Sequence, residues 1–138
     1  MSAITPGIAG VLGKVIVMTE PEDLIPSVFA RDCASRYVLA DVTGRWGHLA
    51  LAALHDGSYR FNALRRRVDG VSEKMLAQTL KTLERDGFVH RDAQPVIPPR
   101  VDYSLTDRGE ELAALLVPLV SWVAAHAEEV LAQPNKSK

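Results

Sequence analysis

Apolar positions along the chain recur first at helical spacing, then in short alternating runs, then at helical spacing again. From Arg31 onward, Tyr37, Val38, Ala40 and Val42 precede Gly44, and Trp46, Leu49, Ala50, Ala53 and Leu54 follow at intervals of three and four until Gly57. Phe61, Leu64 and Val68 make a shorter helical stripe that stops at Asp69-Gly70. Ser72 then stands where an N-cap belongs, with Glu73 on the positive end of the helix dipole. Leu76, Leu80 and Leu83 follow as one ridge, and Gly87 occupies the position of a left-handed residue beyond a helix end. Phe88-Val89-His90-Arg91 and Val101-Asp102-Tyr103-Ser104-Leu105 flank the Pro-rich segment Gln94–Pro99, which predicts a β-hairpin with an exposed tip. Thr106 and Asp107 open a last helix whose apolar face runs through Leu112, Leu115, Leu116, Leu119, Val120, Val123 and Val130. Pro118 is expected to kink or split it, or to begin a second helix.

The order is helix, helix, short helix, capped helix, hairpin, long helix. A helix-turn-helix followed by a hairpin is the winged-helix arrangement, mainly α with a small β-hairpin wing. Residues 1–30 hold too many breakers (Pro6, Gly7, Gly10, Gly13, Pro21, Pro26) for one long helix and predict a partly irregular arm. Met18 is a plausible alternative start, which would make residues 1–17 dispensable. The domain is expected over 31–132, with a frayed tail at 133–138.

A length of 138 residues fits one domain, and 47% apolar with 24% charged residues is ordinary for a globular chain. A single cysteine, Cys33, excludes an internal disulfide framework and a multi-thiolate zinc site. No apolar run reaches the roughly 20 residues of a bilayer span, and the stretch Ile8–Met18 has neither a basic leader nor a cleavage signal. A cytoplasmic protein with no membrane partner is therefore expected. Net charge is −1 but unevenly spread. Arg60, Arg65, Arg66, Arg67, Lys74, Lys81, Arg85 and Arg91 oppose Asp69, Glu73, Glu84 and Asp86 in the middle, whereas carboxylates prevail from Asp102 onward. A basic middle points to an anionic polymer.

On a helix turning about 100° per residue, Leu76, Leu80 and Leu83 share one side, and Lys74, Gln78, Lys81, Thr82 and Arg85 fall on the other. Cations suit phosphates and guanine edges, and a glutamine amide suits adenine, so this face is a candidate reader of double-stranded DNA in the major groove. Arg65, Arg66 and Arg67 complement the negative end of the preceding helix or brace the phosphate backbone; both roles fit them. Arg91 and Arg100 flank the hairpin tip, where a wing can reach the minor groove or its phosphates.

The succession Arg60-Phe61-Asn62-Ala63-Leu64, Gly70-Val71-Ser72-Glu73-Lys74-Met75-Leu76, Leu80 through Val89, and Pro98-Pro99-Arg100 through Gly109 resembles the HxlR-type family of bacterial transcription regulators. Gly44-Arg45-Trp46 and Trp122 also fit its pattern. The resemblance covers about residues 31–130 and implies a homodimer with the Ser72–Asp86 helix in the major groove. It extends the candidate DNA contacts to Arg60, Ser72, Met75 and Thr79. It also implies a dimer interface on the terminal helices, with Tyr37, Leu112, Leu115, Leu116, Leu119, Trp122, Val123, His126 and Val130 as its candidates. Many members carry Cys-Pro where this chain has Cys33-Ala34, and in some that cysteine senses oxidants or electrophiles. Such a thiolate needs nearby positive charge, which Arg31 and Arg36 offer and Asp32 opposes.

Other chemistry finds no support. His48 and His55, seven residues apart, would sit about 10 Å apart along a helix, too far for one metal ion. His90 and His126 have no ligand-spaced companions, and no phosphate loop or nucleophile elbow occurs. No enzyme activity, metal or cofactor is expected. Excess apolar surface around Leu115, Leu119 and Val123 suggests a pocket for a small-molecule effector. The expected function is a sequence-specific transcriptional regulator, a repressor. The rival is a winged-helix module that binds protein or ligand without DNA. Such a module should be apolar where this chain carries Lys, Arg and Gln.

Overall fold

The structure, a computed structural model, describes residues 28–134. The irregular arm through residue 27, the Met18 start and the tail from 135 lie outside these residues. Two units are distinguished, one ending at Tyr37 and one starting at Val38, within helix α1 (Ala34–Thr43). In the first, Cys33 N–H donates to the Ala30 carbonyl at 3.0 Å, and Arg36 Nη1 donates to the Phe29 carbonyl at 3.2 Å.

The second unit continues with α2 (Gly47–Leu54), β1 (Tyr59–Arg60), α3 (Phe61–Arg67), α4 (Glu73–Arg85), β2 (Val89–Gln94), β3 (Arg100–Leu105) and α5 (Asp107–Ala132). The strands form one antiparallel sheet in the order β1-β3-β2. Val89 pairs with Leu105 and Gln94 with Arg100 across the hairpin, so the predicted wing is present and residues 95–99 form its tip. Ile97 there is 99% exposed. Strand β1 was not foreseen; Tyr59 pairs with Tyr103 and Arg60 with Asp102.

The local rules hold at each junction of the motif. Ser72 accepts a hydrogen bond from Met75 N–H at 3.0 Å, which satisfies one of the free donors at the start of α4. Gly70 and Gly87 take φ of +95° and +86°, which fits glycine in the turn before α4 and just past its end. Leu76, Leu80 and Leu83 are buried with Leu51, Leu54 and Leu64 at the centre of the core. Removing such side chains from water is worth about 2 kcal/mol each.

One hydroxyl ties the wing to its neighbours. Thr106 donates through Oγ1 to the Gly87 carbonyl at 2.6 Å and accepts from Gly109 N–H at 3.0 Å, while its own N–H donates to the Phe88 carbonyl at 3.0 Å. Thr106 thus caps α5 and holds the α4–β2 turn at once.

Two expectations need correction. The break at Pro118 does not occur, and α5 runs as one helix of 26 residues. Proline leaves the carbonyl four residues earlier, on Ala114, without its helical donor. Ala114 and Pro118 both lie on the exposed side, where water can take that bond. The same helix is also long and apolar enough, by length and composition, to cross a membrane, contrary to the expectation that no segment would be. Between Leu112 and Ala127 it carries no charged residue. Its first ten residues, however, place Gly109, Ala113 and Leu116 in the protein core.

Candidate nucleic-acid interface

The leucine ridge fixes which way α4 faces. With Leu76, Leu80 and Leu83 inside, Lys74, Met75, Gln78, Lys81 and Arg85 are exposed, and Thr79 and Thr82 are half-buried along the edge. Among the described residues, Lys74, Lys81, Arg66 and Arg91 form no ion pair.

Several of the other predicted cations line two clefts, one beside this helix and one beside α3. Lys81 and Arg91 line a cleft of about 320 Å³ between α4 and the wing, with Tyr103 at its side. Arg60, Arg66 and Arg100 line another of about 480 Å³ between α3 and the base of the wing tip. Asp102 on β3 organises this group. It lies 3.1 Å from Arg100 Nε and 4.0 Å from Arg60 Nε, and it accepts from Gln94 Nε2 at 3.2 Å. Arg60 and Arg100 remain exposed beside that carboxylate, aimed rather than neutralised. Arg65 lies 3.8 Å from Glu73, across the turn of the motif, and its Nε has no partner among the described residues. Arg67 turns away to Asp56 at 3.3 Å, and Tyr59 and Asp56 together raise its pKa above the ordinary arginine value. It belongs to the scaffold.

Arg85 meets two carboxylates, Asp41 Oδ2 at 3.5 Å and Asp86 Oδ1 at 3.6 Å. A hydrogen bond with Asp86 raises the Asp41 pKa above the ordinary 3.8, burial and the Asp86 charge add to the rise, and Arg85 opposes it. Asp86 Oδ2 is buried with no hydrogen-bond partner among the described residues, and because two ionised carboxylates can only accept, a bond between this pair requires a proton. The folded chain binds that proton more readily than the unfolded one. This contribution to stability is therefore complete below pH 3.8 and is lost as pH rises through the raised folded value. Asp41→Asn supplies a permanent donor to Asp86 and forfeits only an exposed Arg85 pair, worth at most about 1 kcal/mol. Thermal melts across the pH range should show a higher Tm for the variant at neutral pH and a flatter decline above pH 4. A lower neutral Tm would refute the acid pair.

The dimer candidates divide. Leu116 is buried and Leu112 packs against the core, so both serve the chain's own interior. Tyr37, Leu115, Leu119, Trp122, Val123 and Val130 are exposed, Leu115 at 74%. His126 donates through Nδ1 to the Trp122 carbonyl at 2.8 Å and stacks on its indole at 4.2 Å. Leu119 and Val123, but not Leu115, line an apolar cleft of about 360 Å³ with Thr43, His48 and Leu116. In the sequence, Arg45 carries no signal beyond the family pattern Gly44-Arg45-Trp46. The structure sets it in a notch beside Gln78, Thr79 and Thr82.

A capped helix with a buried ridge and an outward cationic face, a wing beside it, and clefts lined by arginine define a winged helix-turn-helix protein. The chain belongs to the HxlR-like helix-turn-helix family, whose pattern matches residues 41–131. It is 53% identical over 106 residues to YtfH of Escherichia coli (strain K12), an uncharacterized HTH-type transcriptional regulator, covering 77% of this chain and 84% of the relative. The solved structure of YtfH from Salmonella typhimurium superposes with a TM-score of 0.73 at 53% identity, over 77% of this chain and 95% of that one. The redox regulator HypR in its oxidized form has a TM-score of 0.62 at 33% identity, over 67% and 96% of the two chains.

Proposed function

We propose that this chain is a sequence-specific transcriptional repressor of the cytoplasm that binds double-stranded DNA as a homodimer and is released by a small effector or an electrophile. One observation carries the reading: the leucine ridge turns Lys74, Gln78 and Lys81 of α4 outward without engaging them elsewhere. The relatives' description as HTH-type transcriptional regulators supports it. Lys81 with Arg91, and Arg60, Arg66 and Arg100, supply phosphate contacts on either side of the groove. The apolar strip of α5 from Leu115 to Val123 supports a second copy of the chain, because no charged residue lies between Leu112 and Ala127 and Trp122 is 58% exposed. Two recognition helices related by a two-fold axis then read half-sites about 34 Å apart, or a multiple of that. The apolar cleft beside His48, and the name of the redox regulator HypR, support an effector response. Cys33, with Sγ 3.1 Å from the Ser35 hydroxyl, is the group an electrophile would meet.

Genome-wide capture of DNA by the purified chain provides the operator for a direct test. Gln78→Ala is expected to change base preference. Lys81→Ala should weaken binding to every sequence and lower the slope of log K against log salt by about one. Equal losses for both variants on operator and random DNA would sink this division of labour. In the same assay, release by diamide should disappear in Cys33→Ser if the thiol is the sensor; unchanged release removes it from that role.

A further inference from the structure

We propose that Arg45 is a phosphate-binding residue, held over Trp46 so that its guanidinium meets the DNA backbone at the rim of the major groove that α4 enters. The inference rests on the DNA-binding reading above and adds a contact from outside the helix-turn-helix and the wing.

Three observations converge on it. Arg45 follows the end of α1, and its Cζ lies 4.8 Å from the centre of the Trp46 ring. Trp46 is itself seated. It packs against the core, and its Cη2 stands 3.9 Å from where a Cβ on Gly70 would be, in the turn that launches α4. Gly47, next in the chain, presses so closely on the Asp41 carbonyl that any side chain there would overlap it. The platform under Arg45 is therefore fixed to the recognition helix and does not ride on a loose loop.

Arg45, Gln78, Thr79 and Thr82 also share one notch of about 370 Å³. Gln78 is a candidate base reader, so a cation lining the same notch is placed to meet the backbone of the strand that borders the groove.

Charge is the third observation. Asp41 is the one carboxylate lining the notch, and it is occupied by Arg85 and Asp86. Among the described residues no carboxylate pairs with Arg45, which is exposed. Stacking on an aromatic face uses the plane of a guanidinium and leaves its N–H edge open, the edge that binds a phosphate through two parallel hydrogen bonds. Such a contact positions the protein and does not read sequence.

The test uses the full chain and a mixed-sequence duplex of about 30 base pairs, roughly three helical turns. Affinity is followed by fluorescence anisotropy as salt is varied. Losing one phosphate contact should lower the salt slope by about 0.9, which at about 0.1 M salt is an eightfold loss of affinity. Arg45→Ala should show both changes with its Tm unaltered, and Arg45→Lys should recover the slope. An Arg45→Ala chain with parental slope and affinity, in an assay where Lys81→Ala still loses both, overturns the proposal and leaves the DNA-binding reading intact. Failure of Arg45→Lys to recover the slope, together with a fallen Tm for Arg45→Ala, shows a structural role and also overturns it. A parental chain with no salt-dependent binding removes both readings.

Discussion

Gly109→Ala is expected to be among the most damaging single substitutions in this chain, destabilising it by about 3 kcal/mol. Gly109 lies in the first turn of α5, where an added Cβ would overlap the Phe88 carbonyl oxygen, stand 3.0 Å from its carbon and 3.2 Å from Leu105 Cβ. None of these atoms is the end of a flexible side chain. The Phe88 carbonyl is moreover the acceptor for Thr106 N–H, so moving it aside breaks that bond and loosens the cap that Thr106 provides. The helix must retreat or the α4–β2 turn must open. A fall in Tm on the order of 10 °C follows for a domain of this size. A variant melting within about 2 °C of the parent would mean the two segments can separate freely.

Leu80→Ala should cost a similar amount, about 3 kcal/mol, by a different route. Leu80 is 1% exposed among Leu51, Leu54, Leu64, Leu76 and Leu83, so truncation leaves a cavity that a close-packed core fills only in part. Because Leu80 also sets the rotation of α4, DNA affinity should drop along with stability. Its neighbour supplies the control: Lys81 is exposed, and Lys81→Ala should change stability by no more than about 0.5 kcal/mol. Urea unfolding of the two variants reads the contrast. Equal midpoints would deny that the ridge, rather than helix propensity, anchors the segment.

What could be read from the chain alone was whatever depends on neighbours a few residues apart. The α4 element was legible throughout, because its cap at Ser72, its leucine spacing and the left-handed Gly87 are all local signals, and they agree. The hairpin was legible for the same reason. Strand β1 was not, since two residues carry no period and Tyr59 and Arg60 become a strand only by pairing with Tyr103 and Asp102. That Pro118 does not split α5 could not be read from the chain, because the cost of a proline depends on where the Ala114 carbonyl faces, which is a property of packing. Leu116 looked like its neighbours in the apolar stripe of α5, yet it is buried in the core while Leu115 is exposed. The exposure of Lys74, Gln78 and Lys81 follows from the leucine spacing of their own helix. The engagement of Arg85 by Asp41 and of Arg60 by Asp102, in contrast, joins segments far apart in sequence. Arg45 was hidden for a like reason: its seat over Trp46 is adjacent in sequence, but its place beside Gln78 is made by the turn at Gly70.

The Thr106 hydroxyl, shared between Gly87 and Gly109, ties the end of α4 to the beginning of α5 beside both strands of the hairpin. A reading head pinned at that junction has little freedom to follow a wider or narrower furrow. Accommodation to different promoters then falls to bending of the nucleic acid and, in the homodimer proposed above, to the spacing between two heads.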